Sequence, residues 1–111
     1  MVSVHQNAFT DPKVKGAQVF YYNDKSNGKM LATCIQSAIK SEADPNNTRP
    51  IKNSESYYLL KRTDMPSVIV ECGFLTNPEE EKKLMSSEYQ DKMAFAISKG
   101  IDDFFTRTTQ Q

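Results

Sequence analysis

Val68-Ile69-Val70 is a run of β-branched apolar residues with no polar alternation, and it ends on a carboxylate, Glu71. A run of this kind suits a strand covered on both faces, as in an α/β sheet, and not a sheet with one wet side. Composition predicts two earlier strands, Val2 to His5 and Ala17 to Tyr22, and Tyr57-Tyr58-Leu59-Leu60 reads as a further short one. From Lys29 to Glu42 the period changes. Leu31, Cys34, Ile35, Ala38 and Ile39 recur three and four apart, one stripe of an amphipathic helix that Asp44-Pro45 ends.

Thr48 to Ser56 reads as a long polar loop, and Thr63-Asp64-Met65-Pro66 as a turn. Asn77-Pro78-Glu79-Glu80 has the form of a helix start: a cap residue, proline in the first position, and glutamate three after the cap. That helix is predicted to reach Met85. Ser87 with Gln90 forms a second capping box, opening a helix to about Thr106 with Tyr89, Met93, Ile97, Ile101 and Phe104 as its buried stripe.

The order β-β-α-β-β-α-α predicts an α/β fold, a small mixed sheet of about four strands covered by about three helices. Its 111 residues are one domain's worth of chain. Strand residues follow Met1 at once with no lead-in, so the chain reads as truncated at its N-terminus and its sheet as part of a larger one.

Charge narrows the partners. Fourteen basic and fourteen acidic residues cancel, so no global field favours nucleic acid or an anionic membrane. No apolar run approaches membrane-span length. Cys34 and Cys72 make neither a disulfide framework nor a metal pair; free packed thiols are expected, with a disulfide as the alternative.

The chemistry-bearing residues are few. His5, the sole histidine, is placed where a strand gives way to a loop, and Glu71 at the mouth of a buried strand, where a carboxylate is costly to desolvate. A lone histidine is commonly just packed or solvated, and strand-end charges are commonly simple caps. Taken together the two also suit a metal-assisted hydrolase, one residue as ligand and the other as general base. Gly73 behind Glu71 permits a tight turn or a close approach.

Three segments decide between these readings. Val2-Ser3-Val4-His5-Gln6-Asn7-Ala8, Gly16-Ala17-Gln18-Val19-Phe20-Tyr21-Tyr22 and Pro66-Ser67-Val68-Ile69-Val70-Glu71-Cys72-Gly73-Phe74-Leu75-Thr76-Asn77 resemble, in order, segments of the zinc-dependent N-acetylmuramoyl-L-alanine amidases. Leu59 to Thr63 and the closing Glu79 to Phe105 are similar to further parts of that family. The resemblance implies hydrolysis of the amide joining N-acetylmuramic acid to the first L-alanine of the peptidoglycan stem peptide. It makes His5 a zinc ligand, Glu71 the catalytic base and Asn7 a residue beside the ligand, with a substrate role or plain loop geometry. The family's Gly-His-Gly-Gly turn and its ligand glutamate are absent here.

On that basis residues 1–111 are expected to be the C-terminal part of one catalytic domain, inactive alone and prone to self-associate. A non-catalytic relative that binds wall peptide or a partner protein is the alternative, and a decayed gene remnant a third reading. The resemblance also implies work outside the membrane, in cell wall or spore cortex, after export directed by upstream sequence. Arg49, Lys52, Lys61 and Arg62 are expected to be solvated charge, with contact to the acidic stem peptide as the other reading.

Overall fold

The apolar run becomes the middle of a sheet. In the computed structural model, which describes residues 1–23, 27–62 and 64–109, all seven residues of β4 (Val68–Phe74) are buried. β1 (Val2–Asn7) pairs parallel to it on one side and β2 (Gln18–Tyr21) antiparallel on the other. A two-residue strand, β3 (Lys52–Asn53), lies parallel to β2, giving the mixed order β1-β4-β2-β3. Three longer helices, α1 (Gly28–Glu42), α3 (Pro78–Leu84) and α4 (Ser87–Thr109), join a single turn, α2 (Tyr58–Lys61). The expected α/β architecture is present.

Alternation along β4 sorts the molecule into two sides. Val68, Val70 and Cys72 join Val19 and the α1 stripe in one apolar core. All five residues predicted for that stripe are buried. Gln36, also buried on α1, accepts a hydrogen bond from Val19 N (2.9 Å) and donates to Ala17 O (3.2 Å), doing for the start of β2 what a neighbouring strand would do.

α4 crosses α1 at Gly100. A Cβ there would stand 2.5 Å from Ile35 Cα and 2.9 Å from Ile35 N, closer than side-chain atoms approach backbone. The crossing turns α4 slightly from its predicted face. Tyr89, Met93, Ala96, Gly100 and Phe104 are buried, whereas Ile97 and Ile101 are only partly covered. Small residues take the contact because they permit it, and the larger isoleucines are left beside it.

β1 and β4 do not run in step. His5 pairs with Glu71 but Asn7 pairs with Phe74, so Cys72 and Gly73 together stand opposite Gln6, a bulge in the parallel ladder. Gly73 allows it: its φ is 157°, and a Cβ would lie 3.2 Å from Glu80 Oε1.

Several expectations need correction. Residues 58–61 form α2 and not a strand. A four-residue apolar run carries no period of its own, and the place beside β2 is taken by Lys52–Asn53 from the predicted loop. Leu60 is buried, and its N–H donates to Tyr57 O at 3.1 Å. Glu71 lies within β4 and not at its mouth, and β1 continues past His5 to Asn7. The cap of α4 is Ser86, whose Oγ accepts from Tyr89 N at 3.2 Å, one residue before the predicted Ser87. Of the predicted turn, Thr63 lies outside the described residues.

Ordinarily, replacing a mid-helix glycine by alanine gains about 1 kcal/mol. Here the crossing reverses the sign: Gly100→Ala is expected to lower the unfolding free energy by about 1–3 kcal/mol, because the methyl group enters the backbone of α1. Urea denaturation measures this, and a stabilised variant would contradict the crossing.

Candidate functional site

On the side of the sheet away from the α1 core, three strands present one row. His5 of β1 and Gln18 of β2 are the register partners of Glu71 of β4, and paired residues share a face. Glu71 is 5% exposed. Tyr57 Oη donates to its Oε1 at 2.9 Å, while Oε2 is buried with no hydrogen-bond partner among the described residues. The Tyr57 ring packs against Phe20 with centroids 5.5 Å apart. Burial first, and the neighbouring Glu71 second, push its phenol up to about 12.

His5 is exposed, and its Nε2 lies 2.7 Å from Ser3 Oγ, two residues back on the same face. Asn7 falls in line with His5. Its Oδ1 accepts from Ala8 N at 2.8 Å, so the amide shapes the exit of β1. The expected site residues are therefore brought to one face: Glu71 sunk in the middle, His5 at the open strand beside it, Asn7 level with Phe74.

Below Glu71 the face is closed by Arg49. Its guanidinium lies over the Phe74 ring, 5.0 Å from the centroid, and donates from Nε to Lys15 O (2.7 Å) and from Nη1 to Gln18 Oε1 (3.0 Å). Gln18 Nε2 donates in turn to Pro50 O at 2.8 Å. Arg49 is thus a clasp between β2 and the loop before β3, not the solvated charge expected of it. Lys61 sits over the Tyr22 ring at 5.7 Å, and Lys52 is exposed.

A second buried carboxylate supports the site from behind. Glu80 Oε1 accepts from Gly16 N (2.5 Å) and Phe74 N (3.4 Å), and Lys83 Nζ lies 3.7 Å from Oε2. Only half of the predicted capping box forms. Asn77 Oδ1 accepts from Glu80 N at 3.1 Å, but the Glu80 carboxylate is spent on Gly16 and Phe74.

Tyr57, Gln18 and Glu80 were not anticipated as site residues. Nothing local in the sequence marks them, since the first two meet Glu71 only through the sheet and its flanking loop. An exposed imidazole next to a buried carboxylate with a free oxygen fits one ligand and one base, but among the described residues no three His, Cys, Asp or Glu side chains converge on a metal position.

Beside β1, on the helix side, lies an open groove of about 840 Å³, walled by Val4, Cys72, Met93, Ile97 and Ile101. Val4 is 53% exposed, and among the described residues β1 pairs with β4 alone. No described helix is long and apolar enough to cross a membrane.

Two measurements check this geometry. Glu71→Met is expected to raise the unfolding free energy by about 1 kcal/mol, because it removes a buried carboxylate with one unsatisfied oxygen; a loss would show that the bond accepted from Tyr57, which the variant also removes, outweighs that cost. Cys34 and Cys72 are free and buried, with burial the chief cause pushing the Cys72 thiol up to about 11 and raising that of Cys34. Neither is expected to react with a thiol reagent at pH 8 until the chain is unfolded, when both do.

Comparison with known proteins adds the following. A family model described as N-acetylmuramoyl-L-alanine amidase matches residues 1–103. The germination-specific N-acetylmuramoyl-L-alanine amidase of Bacillus subtilis is 38% identical over 105 residues, 95% of this chain and 44% of the relative. The CwlD amidase of Clostridioides difficile, solved in complex with the GerS lipoprotein, superimposes with a TM-score of 0.91 at 46% identity, over 95% of this chain and 53% of that one. AmiC2 of Nostoc punctiforme, also an N-acetylmuramoyl-L-alanine amidase, gives 0.86 at 35% identity, over 95% and 57%. The chain spans about half the length of these relatives.

Proposed function

We propose a function from one premise: the chain belongs to the N-acetylmuramoyl-L-alanine amidase family. Its reaction is hydrolysis of the amide between the lactyl group of N-acetylmuramic acid and the L-alanine of the peptidoglycan stem peptide. The observation that supports this is the pairing of His5 with Glu71 across β1 and β4, with Glu71 Oε2 buried and unclaimed.

His5 would be one zinc ligand, the others coming from outside the described residues; bound zinc would polarise the scissile carbonyl and lower the pKa of its water to about 7. Glu71 Oε2 accepts the proton of the attacking water and returns it to the leaving nitrogen of L-alanine, so that a lactyl carboxylate and a free amine result. Asn7 Nδ2 is the group that a substrate carbonyl beside His5 would meet. Such work belongs in the cell wall or spore cortex, outside the membrane, and likeness to a germination-specific relative favours the cortex.

In this reading residues 1–111 are the C-terminal part of a catalytic domain. The open edge of β1 and the groove beside it await the rest of the fold, and in isolation the chain pairs with copies of itself there. The incomplete donor set among the described residues favours a second reading, a non-catalytic relative that binds wall peptide or a protein such as the lipoprotein bound by the Clostridioides difficile relative.

Purified peptidoglycan separates them. With zinc and the upstream half of a family domain added in trans, release of N-terminal L-alanine is expected and is lost in Glu71→Ala; binding to peptidoglycan with no release supports the second reading. The chain alone is expected to hold no stoichiometric zinc, and to scatter light as a dimer or larger. A monodisperse monomer would count against an unsatisfied edge.

A further inference from the structure

We infer that Tyr57 is a positioning residue that holds Glu71 Oε1 and thereby selects Oε2 as the oxygen that handles the proton. The inference rests on the reading of Glu71 as base and deepens it. A glutamate carboxylate turns easily about its last torsion, which has a broad two-fold profile, so its two oxygens are interchangeable unless something distinguishes them. Here the sheet supplies no such distinction. Gln18, the register partner on β2, spends its side chain on Arg49 and Pro50, and the His5 ring nitrogen Nε2 is engaged with Ser3.

Tyr57 supplies it at 2.9 Å. Its ring is wedged against Phe20, the β2 residue paired with Ile69, and its position is set at the entrance to α2. The phenol is pushed up to about 12 and so stays protonated over the whole working range. A protonated phenol beside a carboxylate can only donate, so the oxygen it holds is fixed as Oε1. The other oxygen has no hydrogen-bond partner among the described residues. A base whose free lone pairs point one way is preorganised for its proton, and loss of that order commonly costs one to two orders of magnitude in rate, on the order of ten- to a hundredfold.

The test is Tyr57→Phe, which keeps the ring and its packing on Phe20 and removes only the hydroxyl. Crystals of the 111-residue chain and of the variant are compared first. The expected result is a Glu71 carboxylate turned from its original plane or split between two conformers, with the strands in place. An unmoved, single carboxylate overturns the inference. Kinetics on muropeptide, with zinc and the complementing half present, are expected to give at least a tenfold fall in kcat with KM within about twofold. A thermal midpoint within a few degrees of the parent shows that the loss is not one of folding, and unchanged kcat overturns the proposal. If the parent also releases no L-alanine, it is the hydrolase reading that fails; the carboxylate orientation in the two crystals still decides the role of Tyr57.

Discussion

The structure depends on a strand buried on both faces that nonetheless carries a carboxylate at its middle. Val68, Ile69, Val70 and Phe74 each gain about 1.5–3 kcal/mol by leaving water. Their sum exceeds the several kcal/mol that desolvating one carboxylate costs, so β4 can hold Glu71 at its centre and still form. Strand pairing then fixes what surrounds that group. β1 brings His5 to one side and β2 brings Gln18 to the other, and the order β1-β4-β2-β3 follows from giving β4 two partners.

Two buried carboxylates in the same molecule show what burial alone does not decide. Glu80, 4% exposed, has two backbone N–H donors on one oxygen and a lysine near the other. It joins the start of β2, the end of β4 and α3, and nothing remains for it to react with. Glu71, 5% exposed, has a single phenol and one empty oxygen. The two differ in satisfaction, not in depth. An unsatisfied buried acceptor held in place by the rest of the fold is the exception that calls for an explanation.

Periodic features were legible in the sequence and relational ones were not. The α1 stripe, the buried β4 and the Asn77 cap each follow from local spacing, and each is present. Residues 57–60 failed because four apolar residues carry no period, and β3 was invisible because two exposed residues make no pattern. The face of α4 was placed slightly wrong because Gly100 looks like a weak helix residue until Ile35 is set against it. His5 and Glu71 could be named from their flanking segments, but their being neighbours depends on the register between strands more than sixty residues apart. Tyr57 and Arg49 reach the site through loops whose course no local rule gives.

The bulge at Cys72 and Gly73 decides which side of the sheet the end of β4 serves. Because β4 takes three steps where β1 takes two, Phe74 emerges on the same side as Glu71 and becomes the platform under Arg49. Straightened with all its residues kept, β4 would place Phe74 an odd number of steps from Glu71, send it into the helix layer and leave the guanidinium over empty sheet. Substitutions that keep the bulge therefore change the site by degrees, whereas one that abolishes it exchanges the side on which Phe74 emerges. Among divergent copies of this fold, the bulge and the glycine that permits it should vary less than the residues around them.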